Sequence, residues 1–175
     1  MNAHRRSTKA VFRVILVKPS HYDDDGYVIQ WVRSSIPSNT LAILYGLALD
    51  AAGRRILGPD VEIRLDAYDE TNTRIKTNGL ARRIRSSSAG GMVALVGVQS
   101  NQYPRAMDLA RQLRAEGIQV CIGGFHVSGC LAMLPAMPPD LQEAVDLGVS
   151  LFAGELEGHM DELLQDAFRR EMKPL

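Results

Sequence analysis

Val11-Phe12-Arg13-Val14-Ile15-Leu16-Val17 is short, almost wholly apolar and rich in β-branched residues, which is how a strand buried on both faces reads. Met92-Val93-Ala94-Leu95-Val96-Gly97-Val98 repeats the pattern and is the clearest buried strand of the chain. Ile118 to Ile122 and Gly148 to Phe152 are shorter runs of the same kind. Val61-Glu62-Ile63-Arg64-Leu65 instead alternates with period two, which places it near a sheet edge. Between these runs the apolar positions change to helical spacing. Leu41, Leu44, Leu47 and Ala48 follow Pro37-Ser38-Asn39 and stop near Gly53. Met107, Leu109, Ala110 and Leu113 lie between Pro104, suited to a first helical turn, and Gly117, suited to an end. Met160, Leu163, Leu164, Ala167 and Phe168 share one face of a terminal helix over 157–170. Weaker patterns predict short helices over 73–84 and 140–147, the second capped by Asp140. Residues 131–139, rich in Pro and Met, read as a loop, and 86–91 as a flexible turn.

Strands alternating with helices predict an α/β fold: doubly wound, with a mostly parallel five-stranded sheet and helices on both faces. The domain spans residues 11–172, behind a basic tail of residues 1–10. Sheets of this kind bind ligands beyond the carboxyl ends of their strands, where the strand order reverses. The polar and glycine-rich segments of this chain follow Val17, Val98, Ile122 and Phe152, so they fall on that edge.

A length of 175 residues suits one domain with a sizeable core. Twenty basic and twenty acidic residues cancel, which argues against nucleic acid or an anionic membrane as partner. The local basic stretches, His4 to Lys9 and Arg74, Lys76, Arg82, Arg83 and Arg85, read as a frayed tail and a solvated helix face. The first apolar run is too short for a signal peptide and contains Arg13. No stretch is long enough to span a bilayer. Two cysteines, Cys121 and Cys130, do not make a secreted disulfide framework. The expectation is a reduced cytoplasmic protein.

The strand-end segments carry the candidate chemistry. Gly123-Gly124, with no Cβ, lets a bulky ligand come close to the backbone, or simply makes a tight turn. The pair lacks the spacing of a dinucleotide fingerprint, and no phosphate-binding loop of the G-x-x-x-x-G-K-[ST] type is present. Gln99-Ser100-Asn101-Gln102 offers four hydrogen-bonding side chains suited to an amide-rich ligand, or a helix cap from Ser100 or Asn101. His21, His126 and His159 lack paired metal-ligand spacing. Asp23-Asp24-Asp25-Gly26 lacks the ligand positions of a calcium loop. Cys121 reads as a buried core thiol, and two thiols fall short of an iron–sulfur site. No Ser-His-Asp or Cys-His pairing is legible at a recognisable motif.

In order, these segments resemble the cobalamin-binding N-terminal domain of B12-dependent radical S-adenosylmethionine proteins. Val93 to Ser100 resembles the family's third-strand signature. Gln119-Val120-Cys121-Ile122-Gly123-Gly124-Phe125-His126 resembles its hydrophobic strand followed by G-G-x-H. Gly154-Glu155-Leu156-Glu157 resembles its G-E-x-E, and Ile36-Pro37-Ser38-Asn39-Thr40-Leu41 the start of its first helix. The resemblance covers roughly residues 11–170. It implies a Rossmann-like or flavodoxin-like domain holding the corrin against the carboxyl ends of the strands, with the nucleotide tail threaded into a crevice beside the sheet. The residues it implicates are Ser38, Asn39, Val98, Gln99, Ser100, Asn101, Gly123, Gly124, Phe125, His126, Gly154 and Glu155.

Two departures qualify the implied function. The family's C-x-x-x-C-x-x-C motif, which holds a [4Fe–4S] cluster and S-adenosylmethionine in a following barrel, is absent from this chain. The expectation is therefore a binding module, not catalytic alone, either a fragment cut at the domain boundary of a methyltransferase-type or related enzyme or a stand-alone binding module, with a barrel domain in cis or trans as partner. The cobalt-ligating D-x-H-x-x-G of some cobalamin domains is also absent, since Pro19 and Asp24 stand around His21 where Asp and Gly belong. Two rivals are a flavodoxin-like or receiver-like interaction module without corrin, and a stand-alone transferase with another cofactor. A receiver needs an Asp at the end of its third strand, and Gly97-Val98-Gln99 stands there.

Overall fold

The computed structural model describes residues 9–31 and 38–174. The basic tail through residue 8, and Ile36-Pro37 of the first-helix segment, lie outside the described residues.

Among the described residues the apolar runs form five strands: β1 (Ala10–Lys18), β2 (Val61–Asp69), β3 (Gly91–Leu95), β4 (Gln119–Gly123) and β5 (Ser150–Phe152). Within the same residues six helices join and follow them: α1 (Asn39–Gly53), α2 (Thr77–Arg85), α3 (Tyr103–Ala115), α4 (Phe125–Met133), α5 (Pro139–Asp146) and α6 (Met160–Arg169). All neighbouring strands pair in parallel, in the order β2-β1-β3-β4-β5. The expected doubly wound α/β architecture is therefore present, and its sheet is wholly parallel. β1 pairs with β2 from Ala10–Val61 to Lys18–Asp69, and on its other side with β3 from Arg13–Gly91 to Val17–Leu95. The order reverses between β1 and β3, so connections leave those two strand ends in opposite directions.

Alternation along the strands sends side chains to two separate cores. Phe12, Val14 and Leu16, with Met92, Ala94 and Cys121, pack beneath α1 and α6. Ile15, Val17, Val93 and Leu95 pack beneath α2, α3 and α5. At ~25 cal/mol per Å² of apolar surface, burial in these two layers is the main force holding the sheet.

The structure corrects several sequence expectations. β2 lies at the sheet edge as expected but extends to Asp69, because β1 offers it a ladder along its whole length. The helix expected over 73–84 begins only at Thr77, and the terminal helix begins at Met160. β3 ends at Leu95 rather than Val98, because Gly97 turns the chain with φ 63°. Pro138, not Asp140, caps α5, and Asp140 stands in its first turn. Helix α4 was not expected at all, and it takes in 131–133 of the expected loop. Only Val127 of its nine residues is buried, so it has no apolar stripe for a pattern to reveal. Among the described residues no helix is long and apolar enough to cross a membrane.

Candidate functional site

Beyond the ends of β3, β4 and β5 a cleft of about 320 Å³ opens between α1 and the segment leading into α6. Its floor is made of small residues, Ala94, Gly97, Cys121 and Gly123. Larger side chains on the same sheet face, such as Leu16 and Met92, are covered by helices. Thr40, Ile43 and Leu44 of α1 form one wall, and Phe152, Leu156 and Leu163 the other. Gln99, Ser128, Glu155 and Glu157 bring polar groups to it. Ile43 and Phe125, which also line the cleft, are 52% and 63% exposed. Burial pushes the Cys121 thiol up to about 12, so the floor is uncharged.

Gly97 and Gly124 shape the cleft through the protein's own backbone. Gly124 has φ 141°, and a Cβ there would run into Val98 N and lie 2.8 Å from both Gly97 C and Val98 O. Val98 N donates to Gly123 O (3.1 Å), and His126 N donates to Val98 O (3.0 Å). The turn after β3 is thus joined directly to the start of α4. This contact by itself requires glycine at 124. Gly97 has a Thr40 methyl 3.2 Å from its would-be Cβ. Gly123 meets only ordinary contact with Phe152, and Gly154 faces open space. Gly154 N donates to Ser128 Oγ at 3.0 Å, linking the β5–α6 segment to α4.

Of the residues singled out from the sequence, Gln99, Gly123, Gly124, Phe125, Gly154 and Glu155 line this cleft. The others stand elsewhere. Ser38 caps α1, its Oγ accepting from Leu41 N at 3.2 Å, and Asn39 is the exposed first residue of that helix. Val98 is buried in the opposite core. Ser100 and Asn101 are exposed in the turn before α3 and do not cap it. The cap position is Gln102, whose side chain accepts from Gln99 N (2.9 Å) and donates to Pro19 O (3.0 Å). His126 lies against the Tyr103 ring with centroids 4.2 Å apart. Its Nδ1 meets Ser100 Oγ at 3.2 Å and its Nε2 meets Asp140 Oδ2 at 3.0 Å. With both nitrogens engaged, this ring has none left for a metal.

The wall residues Thr40, Ile43, Phe152, Leu156 and Leu163 were missed as site residues. Ile43 carried a signal, since it is apolar yet falls off the Leu41–Leu44–Leu47–Ala48 stripe. Among the described residues no group of three or more His, Cys, Asp or Glu is placed to hold a metal ion. The small-residue floor, apolar walls and polar groups at the mouth suit a small, largely apolar group with polar substituents. Neither protein-family models nor curated proteins match this chain.

Proposed function

We propose that this chain is a cobalamin-binding module. The observation that carries the reading is the slot beside the sheet: a small-residue floor and apolar walls at the carboxyl ends of β3–β5, with polar groups at its mouth. A volume of about 320 Å³ lies near the lower end of the roughly 300–1,000 Å³ of small-molecule sites. That is room for the nucleotide tail but not for the corrin. The macrocycle would belong on the open carboxyl edge, where Ile43 and Phe125 offer exposed apolar surface. Gln99, Ser128 and Glu155 can hydrogen-bond its amide arms. The family segments that the chain resembles fall largely on this slot: Gly97, Gln99, Gly123, Gly124, Gly154 and Glu155 line it.

Cobalamin held there would supply a cobalt centre able to transfer an alkyl group. The residues of this chain bind and orient it, and a barrel domain with a [4Fe–4S] cluster and S-adenosylmethionine would supply the remaining chemistry. A reducing cytoplasm would keep Cys121 and Cys130 as the free thiols they are here.

Hydroxocobalamin added to the purified chain should stay bound through desalting, with its visible spectrum retained and a calorimetric stoichiometry near one. Absence of saturable binding for every cobalamin form sinks the reading. It would leave the corrin-free interaction module, whose strand order β2-β1-β3-β4-β5 is the same.

A further inference from the structure

Outside the cleft, three side chains distant in sequence form a continuous line. His126 Nε2 lies 3.0 Å from Asp140 Oδ2. An ionised carboxylate can only accept, so Nε2 carries the hydrogen and Nδ1 of the neutral ring keeps its lone pair. That lone pair faces Ser100 Oγ at 3.2 Å, and the hydroxyl donates to it. The ring packs against Tyr103 at an interplanar angle of 33°, and its side chain is only 11% exposed. The carboxylate is fixed in turn, since Asp140 Oδ1 accepts from Leu141 N at 2.9 Å. Ser100 itself is exposed, on the turn after β3. Ser100 N and Asn101 N donate to no acceptor among the described residues. Hydroxyl, imidazole and carboxylate in this order make the relay of a serine nucleophile, which is recognised by geometry and not by order in the chain. Here the two ring nitrogens exchange places relative to the chymotrypsin arrangement.

We propose that Ser100 is a nucleophile, activated by His126 and oriented through Asp140, that accepts acyl groups from small carboxylic esters and passes them to water. Ser100 Oγ forms a bond to the carbonyl carbon as its proton moves to His126 Nδ1. The tetrahedral oxyanion takes hydrogen bonds from the free amides of Ser100 and Asn101. The alkoxide leaves with the proton returned from Nδ1. Water then attacks the acyl-serine, gives its proton to Nδ1, and releases the carboxylic acid as Ser100 Oγ regains that proton. No oxidant or metal enters. Asp140 is a positioning residue, because it acts only through the ring. The proposal is independent of cobalamin binding.

The test is phosphonylation of the full chain by diisopropyl fluorophosphate, in which an Oγ–P bond forms and fluoride leaves. Peptide mass mapping should place the adduct on Ser100. Asp140 of α5, Tyr103 of α3 and Cys130 of α4, whose Sγ is 3.9 Å away, face the His126 ring. Ser100→Ala should abolish the adduct. His126→Gln and Asp140→Asn should slow labelling on the order of 10²-fold, the usual scale of general-base assistance. Ser100 is exposed and Asp140 nearly half-exposed, so their variants keep the test decisive even if His126→Gln fails to fold. Cys130→Ala should leave labelling unchanged. Absence of an adduct, an adduct on other residues, a rate unaltered by Asp140→Asn, or loss of labelling in Cys130→Ala each overturns the assignment.

Discussion

Glu70, 1% exposed just past the end of β2, is gripped by Arg105 of α3 through Nη2–Oε1 at 2.7 Å and Nε at 3.2 Å from both oxygens. Ser20 N also donates to Glu70 Oε2 at 3.1 Å. Arg105 Nη1 reaches the Tyr22 hydroxyl at 3.3 Å, and that hydroxyl donates to Asp108. The segment after β1 is thereby fastened to β2 and to α3, on the side of the switch point away from the cleft.

Arg105→Ala should therefore be one of the most damaging single changes in the chain. It strands a carboxylate where water cannot reach it, and breaking a buried pair in this way costs about 3–5 kcal/mol. The double variant Glu70→Leu/Arg105→Met should recover part of that loss, since no charge is then buried alone. Urea unfolding of the three proteins measures both differences. Equal stability of Arg105→Ala and the parent would mean that the pair contributes nothing.

Gly124→Ala should destabilise the fold whether or not a ligand is bound. A Cβ at φ 141° overlaps the backbone of Val98 and Gly97. The strained backbone alone costs about 1–3 kcal/mol, and the turn after β3 must also move. Gly154→Ala meets no atoms and faces only the strain of φ 92°. Thermal unfolding should rank Gly124→Ala well below Gly154→Ala, and the reverse order would contradict the role assigned to Gly124.

The Cys121 thiol titrates near 12 because burial disfavours its thiolate. At pH 8 iodoacetamide should therefore alkylate the half-buried Cys130 and spare Cys121 until denaturant is added. The same shift sets a pH dependence. A group whose folded value is raised contributes stability below its unfolded value of 9.0 and loses it as pH climbs towards about 12. Within that window Cys121 should remove about 1.4 kcal/mol per pH unit. Cys121→Ala should flatten the alkaline limb of stability against pH.

Ile43→Asp places a charge at the exposed wall of the cleft without touching either core. On the cobalamin reading, affinity should fall at least tenfold, about 1.4 kcal/mol, with thermal stability nearly unchanged. Calorimetric titration of the two proteins decides it. Unchanged affinity would place the ligand elsewhere.

Electron paramagnetic resonance of bound cob(II)alamin should lack the threefold splitting of a coordinated nitrogen. The nearest motif histidine, His126, has both ring nitrogens engaged by Ser100 and Asp140. Splitting that disappears in His21→Ala would instead identify the loop histidine as the ligand.

Much of the fold was legible because periodicity is local. Val11–Val17 and Met92–Val98 each announce a strand covered on both sides, and both lie inside the sheet, flanked by pairs on each edge. Helix α4 escaped because one buried residue, Val127, makes no period. The edge on which the cleft opens was legible too, since glycines and polar side chains collect after β3, β4 and β5. Which of them face the cleft was not. Val98, Ser100 and His126 belong to segments that reach it, yet they turn towards the opposite helix layer.

The sequence by itself determined the order of the elements, the parallel sheet buried on two sides, and the end of it where the cleft opens. Apolar runs and turn residues specify these within a dozen positions. Only the tertiary structure decided which residues meet. Arg105 and Glu70 are 35 positions apart, Ser100 and His126 are 26, and His126 and Asp140 are 14. Each contact depends on strand order and register and on the helix crossing between strands. Gly124 is the sharpest case. Its side chain is excluded by the backbone of Val98, a neighbour created by pairing β3 with β4 and by the turn at Gly97.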